Sequence, residues 1–185
     1  NGVILDLKVL LGEIEDLKKA GVKVADKLFI SPRAHIIMPY HKILDSLYEQ
    51  VKDPAKKTGT TGRGIGPCYA DKVSYNGLRI FDLLNPSQFE EKLITQLVLK
   101  NKIIAALGGE KLDKKAILAE FAELREKIKP YVKETTSILQ IAAKGQKNIL
   151  FEGAQGIFLD IDFGTYPFCS ASSMVSGAIN GGSGL

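Results

Sequence analysis

Leu7, Leu10, Leu11, Ile14 and Leu17 recur at helical spacing, with Asp6 before them as a cap and Gly21 after them as a stop. Ile43, Leu44, Leu47 and Val51 repeat the pattern over Tyr40 to Lys52, which closes at Asp53-Pro54. A third stripe, Phe89, Leu93, Leu97 and Ile104, follows a Ser87/Glu90 capping box and runs to Gly108-Gly109. The stretch from Leu112 to Lys144 carries Ile117, Phe121, Leu124, Ile128 and Tyr131 on one face, and Pro130 predicts a break within it. Between these helices stand two short, fully apolar runs, Leu28-Phe29-Ile30 and Ile149-Leu150-Phe151, which read as buried strands. Helices interleaved with such strands predict an α/β domain, whose ligands lie at the carboxyl ends of parallel strands.

The glycines point to the same region. Of 18, four fall between Gly59 and Gly66 and seven between Gly153 and Gly184, so two loops are expected to build one site. Composition narrows the class: 45% apolar and 25% charged residues with only 7 Pro fit a chain that buries a real core rather than a disordered one. No run approaches the ~18 to 20 apolar residues of a membrane span. The net charge of +4 is spread along the chain and gathers with aromatics in no nucleic-acid module. Cys68 and Cys169 stand apart with neither CxxC nor Cys/His spacing, so no disulfide framework or zinc site is expected, and a reducing cytoplasm fits. The opening Asn1-Gly2-Val3-Ile4-Leu5 and the closing Ser183-Gly184-Leu185 read as cuts from something longer.

The first loop, Gly59-Thr60-Thr61-Gly62-Arg63-Gly64-Ile65-Gly66-Pro67, offers convergent N–H groups, two hydroxyls and a guanidinium, an inventory suited to phosphate or carboxylate. It is neither a Walker A loop, lacking the Gly-Lys-Ser/Thr, nor a dinucleotide fingerprint, having Pro67 at the third glycine. Tyr69, Asp71 and Lys72 then fall on one helical turn after Pro67, which makes Lys72 a charge partner for the loop or a solvated lysine. In the second loop, Phe151-Glu152-Gly153-Ala154-Gln155-Gly156, the Gln155 amide stands between small residues at a strand's end. It can meet the edge of a heterocyclic base with one acceptor and two donors. Asp160 and Asp162 read as capping or ion-pair carboxylates in preference to metal ligands, and Ser170, Ser172 and Ser173 as phosphate or capping hydroxyls. His35 and His41 lie outside both loops and read as structural.

The first loop continued through Cys68-Tyr69-Ala70-Asp71-Lys72-Val73 and Gly77-Leu78-Arg79 resembles a signature of the adenylosuccinate synthetase family. So does the second, with Leu159-Asp160-Ile161-Asp162-Phe163-Gly164-Thr165-Tyr166-Pro167-Phe168, and the likeness extends from Asn1 to Leu185. The resemblance implies a P-loop-NTPase-like mixed sheet flanked by helices, incomplete over these residues and forming one partial domain, 1–185. It implies synthesis of adenylosuccinate from IMP and L-aspartate with GTP and Mg²⁺, in a cytoplasmic homodimer with no nucleic-acid or membrane partner. The 6-oxygen of IMP takes the γ-phosphoryl group of GTP, and the aspartate amine then displaces phosphate, a reaction that depends on positioning and electrostatic stabilisation. Carried over by position, Thr61 binds the IMP phosphate, Gln155 meets the hypoxanthine 6-oxygen edge, Ser170 replaces a phosphate-binding threonine, and Lys72 is the catalytic lysine of the signature.

Three departures accompany this. Tyr75 stands where the family has an arginine that reaches the IMP phosphate of the other subunit, Ser170-Ala171-Ser172-Ser173 replaces a Thr-Ser-Ser-Asn, and Ile157 replaces a small residue. The family's glycine-rich loop with the catalytic aspartate, its catalytic histidine, the aspartate loop, the guanine-reading residues and the Mg²⁺ ligands match nothing in these residues. This stretch alone is therefore expected to be inactive. The alternative reading is a catalytically dead nucleotide-binding or interaction module of the same fold.

Overall fold

The computed structural model describes residues 2–185; Asn1, where the resemblance begins, lies outside the described residues. The chain runs β1 (Ile4–Leu5), α1 (Leu7–Lys19), β2 (His35–Ile36), α2 (Pro39–Gln50), α3 (Ile65–Val73), α4 (Ile80–Leu84), α5 (Pro86–Ala106), α6 (Lys114–Ile128), α7 (Thr135–Lys144) and α8 (Ala178–Ser183). β1 and β2 pair in parallel, Ile4 opposite His35 and Leu5 opposite Ile36. Beyond the pair, Ile36 N–H donates to Leu78 O (2.9 Å), and His35 forms an antiparallel bridge with Arg79. The fold is therefore α/β with a small parallel sheet and a dominant helical layer.

The helical stripes form helices for local reasons. Asp6 caps α1 by accepting the N–H groups of Lys8 (3.1 Å) and Val9 (3.3 Å), and Gly21 takes the left-handed φ of 80° just beyond its end. α6 begins on Asp113, which accepts from Ala116 N–H (2.8 Å), and the predicted break at Pro130 is a short 3₁₀ turn, Lys129–Tyr131. α5 departs from the expected capping box. Its cap is Asn85, with Pro86 in the first helical position, while Ser87 sits inside the first turn and donates to the Asn85 side chain (2.9 Å). α3 likewise starts at Ile65 rather than at Pro67.

Neither expected strand forms. Of Leu28-Phe29-Ile30, only Ile30 pairs, in an isolated bridge to Val132, with Ile30 N–H on Tyr131 O (2.8 Å) and Lys133 N–H on Ile30 O (3.1 Å). Ile149-Leu150-Phe151 belongs to no strand and pairs with none among the described residues, and Leu150 is 91% exposed. An apolar run becomes a strand only when another backbone satisfies its N–H and C=O groups, a non-local condition that composition does not encode.

The core joins Leu7, Ile36, Met38, Leu44, Leu78, Ile80, Leu83, Leu93, Ile104 and Ile128, all nearly inaccessible. Phe89 of α5 stacks on Phe121 of α6 with centroids 5.6 Å apart. This core fixes α2, α3 and α5 against one another and leaves both glycine-rich loops on the surface. Leu93→Ala is expected to cost about 2 to 5 kcal/mol in urea unfolding, because it opens a cavity in a closed core. Leu150→Ala is expected to stay within about 0.5 kcal/mol, as an exposed position does.

Candidate functional site

The first loop hangs from α2. Two carboxylates one helical turn apart, Asp45 and Glu49, face it. Asp45 Oδ2 accepts the Gly64 N–H (2.9 Å), and Glu49 accepts from Thr58 N–H (3.1 Å), Thr58 Oγ1 (2.6 Å) and Gly59 N–H (3.0 Å) while pairing with Lys52 (2.5 Å). Between these anchors Thr60, Thr61 and Arg63 are exposed. Gly62 and Gly64 turn through left-handed φ of 66° and 78°. A Cβ on Gly64 would lie 2.9 Å from the His41 carbonyl carbon and Lys42 N, so only glycine fits there.

α3 follows at once and is held from beneath. Asp71 is buried, with Oδ2 on His41 Nε2 (2.9 Å) and Oδ1 on the Lys100 ammonium. The Met38 N–H donates to His41 Nδ1 (2.9 Å), so the ring proton sits on Nε2 and points at Asp71. Burial lowers the His41 pKa more strongly than Asp71 raises it, which keeps the ring neutral. The Asp71 carboxyl is opposed by burial, yet the His41 and Lys100 bonds hold it below its ordinary value. The structural role read for His41 is thus realised, and Asp71, quoted only as part of a motif, proves to be the anchor.

Lys72 projects from the other side of α3. It lies half-buried over the Tyr69 ring (5.2 Å to the centroid), and burial, then the nearby Arg79, lowers its pKa. With His35, Tyr75, Gly77 and Arg79 it lines a cavity of about 520 Å³ that Thr61, Gln155 and Ser170 do not line. Tyr75 is 96% exposed and takes a left-handed φ of 66° just past the helix end. There Asn76 N–H closes on Asp71 O (2.8 Å) in a Schellman-type stop.

The segment that follows the second loop is built around Asp160, which is fully buried. Its carboxylate accepts from Asp162 N–H (2.9 Å), Phe163 N–H (3.0 Å), Ser173 Oγ (3.1 Å), Met174 N–H and Val175 N–H (3.2 Å). These bonds, led by that from Phe163, hold its pKa well below the usual carboxylate range. Asp160 is accordingly a capping carboxylate. Ser170 N–H rests on Leu159 O (2.8 Å), which sets its half-buried hydroxyl beside this hub. Gln155 is exposed at a left-handed φ of 64°. The strand expected to precede it does not form among the described residues, so the amide is presented by a turn rather than by a sheet edge. Tyr69 brings the two halves together: its hydroxyl donates to Gly2 O (3.2 Å) and also bonds the Ser172 side chain. No hydrogen bond joins Thr61, Gln155, Ser170 and Lys72 to one another among the described residues.

Asp45 and Glu49 escaped the reading of the sequence. Their signal was two acids spaced i, i+4 on the helix immediately before the loop they hold, with Asp45 next to the apolar Leu44. No three His, Cys, Asp or Glu side chains gather among the described residues, and every Asp160 contact is to a donor. These residues do not fit a Mg²⁺ site.

The molecule is an α/β protein that presents one glycine-rich loop on the carboxylates of Asp45 and Glu49 and a second just ahead of the buried Asp160. A family model described as adenylosuccinate synthetase matches residues 1–185. Adenylosuccinate synthetases of Acetivibrio thermocellus and Clostridium kluyveri are each 47% identical to it over its whole length, which is 43% and 44% of theirs. The solved structure of fully ligated adenylosuccinate synthetase from Plasmodium falciparum superposes with a TM-score of 0.86 at 32% identity, covering 98% of this chain and 42% of that one. The chain belongs to the adenylosuccinate synthetase family, and it spans under half the length of the relatives it matches.

Two outcomes test the loop anchors. Gly64→Ala is expected to destabilise by more than about 1 kcal/mol, whereas Gly66→Ala, whose new methyl meets nothing within 4 Å, should be neutral or slightly stabilising in thermal unfolding. The Glu49 carboxyl is held down to about 2, first by the Lys52 hydrogen bond and next by Thr58. Because its folded pKa is depressed, its contribution is complete above the unfolded carboxyl range near ~4.3 and is lost as pH falls towards 2. Protection of the Thr58 and Gly59 amides, taken relative to their intrinsic exchange rates, should therefore fall between about pH 4 and pH 2, and be low throughout in Glu49→Gln.

Proposed function

We propose that these residues form the IMP-binding part of an adenylosuccinate synthetase. The complete reaction converts IMP, L-aspartate and GTP to adenylosuccinate, GDP and phosphate in purine nucleotide biosynthesis. In this reading Thr61 donates its hydroxyl to the IMP phosphate, Ser170 adds a second hydroxyl, and Gln155 addresses the 6-oxygen edge of the base. Lys72 is the cation of the signature and is read as the catalytic residue. The observation that carries the reading is the contrast between anchors and tips: Asp45 and Glu49 consume inward-facing N–H groups of the first loop, and Asp160 those of the segment that follows the second, while Thr61 and Gln155 stay exposed.

The chemistry follows from that contrast. A 6-oxygen is a poor leaving group until phosphorylated, and a site that fixes the purine edge lets the γ-phosphoryl of GTP arrive in line. An amide presented at a rigid turn gives that orientation at little entropic cost. Mg²⁺ supplies charge neutralisation to phosphoryl transfer of this kind; no residue described in this structure is given a role in holding it. The parent is read as a cytoplasmic homodimer that engages neither nucleic acid nor membrane. None of the described helices is long and apolar enough to cross a bilayer.

Calorimetric titration with IMP tests the reading. Saturable binding is expected, weakened roughly tenfold or more by Gln155→Ala, the ~1.5 kcal/mol of one lost polar contact. Unchanged affinity in that variant would remove Gln155 from the site. Tyr75→Arg is expected to tighten IMP binding, because it restores a charge-assisted phosphate contact that tyrosine cannot make; an unchanged dissociation constant would refute that role for position 75.

A further inference from the structure

Tyr69 stands where three parts of the chain meet. It lies on α3 three positions before Lys72, so the two side chains share a face, and the Lys72 ammonium sits 5.2 Å from the centroid of the Tyr69 ring. The far end of the same side chain serves other partners: the hydroxyl donates to Gly2 O (3.2 Å), just before β1, and hydrogen-bonds the Ser172 side chain. Burial raises the Tyr69 pKa above its ordinary value, so the group stays a phenol and keeps its donor. Gly2 in turn packs against α8, since a Cβ on Gly2 would lie 3.0 Å from the Gly182 Cα. Ser172 is pinned from behind: its carbonyl accepts the Ile161 N–H (3.3 Å), and Ser170, two residues earlier, rests its N–H on Leu159 O (2.8 Å). The hydroxyl therefore grips a turn that is already ordered, and that turn carries Ser170.

We propose that Tyr69 is a positioning residue that fixes the Ser170 hydroxyl relative to the Lys72 ammonium, with one end of its side chain holding each. The inference rests on the reading of this site as the IMP pocket. Ser170 and Lys72 come from distant segments, and no hydrogen bond joins the two among the described residues. A phenol turns about only two side-chain bonds and is otherwise rigid, so it transmits position between them at low entropic cost.

The two ends of the side chain are separable. A phenylalanine keeps the ring beside the Lys72 ammonium and loses both hydroxyl bonds, whereas a leucine loses the ring as well. The hydroxyl acts on the turn that holds the phosphate-bearing substrate, so its loss falls on the binding of IMP. The ring acts on Lys72, so its loss falls on the chemical step that this lysine is read to assist.

The test is steady-state kinetics of the full-length parent enzyme, with IMP, GTP and L-aspartate varied in turn. Tyr69→Phe is expected to raise the KM for IMP about fivefold to tenfold, as the loss of one or two hydrogen bonds does. Its kcat should stay within about twofold, and the KM values for GTP and aspartate should not move. Tyr69→Leu is expected to lower kcat by about tenfold in addition. Ser172→Ala should raise the KM for IMP by less than Tyr69→Phe does, and the double variant should match Tyr69→Phe alone, because the shared bond is already gone. Wild-type binding of IMP and its weakening by Gln155→Ala report on the pocket separately; if these fail, the pocket reading falls and the inference falls with it. With them intact, the positioning role is overturned by an unchanged KM for IMP in Tyr69→Phe or in Ser172→Ala, or by fold-changes that multiply in the double variant. It is equally overturned by a kcat in Tyr69→Leu no lower than in Tyr69→Phe, or by equal rises in all three KM values, the mark of general destabilisation.

Discussion

A single buried carboxylate, that of Asp71, ties three helices together. His41 from α2 and Lys100 from α5 meet on its two oxygens, and Lys100 also passes 5.9 Å from the Tyr40 ring centroid. Burying these charges is costly, and breaking such a set by removing one partner typically costs about 3 to 5 kcal/mol. The return is orientation. With Asp71 fixed inward, the next residue on the helix is rotated by about a quarter turn, and Lys72 is delivered to the cavity edge rather than to the core. The same rotation puts Tyr69 against Ser172, so one ion pair sets how α3 meets both the cavity and the second loop.

The glycine-rich loops repeat this logic with carboxylates instead of sheet hydrogen bonds. Glu49 and Asp45 hold the start and end of the first loop, and Asp160 gathers donors from the segment that follows the second, from Asp162 to Val175. A loop held by its N–H groups from within keeps its outer side chains free at no cost in definition. Thr61 is such an outer side chain, while Gln155 precedes the Asp160 hub and takes a left-handed φ of 64°, strain that the turn around it maintains.

The helices were legible in the sequence because their causes are local. The stripe from Leu7 to Leu17 with its Asp6 cap, and the break at Pro130, depend on residues a few positions apart. The strands were not, because Ile149-Leu150-Phe151 has the composition of a strand but pairs with no backbone among the described residues, while β1 and β2 join positions 31 residues apart in pairs too short to show a period. The loops announced themselves through glycine and the signature residues. Their anchors did not, since Asp71, Asp45 and Glu49 read as ordinary polar positions until the fold buries or aims them. Lys72 and Arg79 stood in the signature, but that they share a cavity with His35, from a distant segment, did not show.

The claim that Asp71 orients α3 is tested most directly by native-state hydrogen exchange on Asp71→Asn, followed amide by amide. Protection should fall selectively from Cys68 to Ser74 in α3 and in the His41 turn of α2, while α6, which carries no member of the set, keeps its wild-type protection relative to global unfolding. A uniform loss over α3 and α6 alike would reduce Asp71 to a general stabiliser, and unchanged protection in α3 would contradict the account outright.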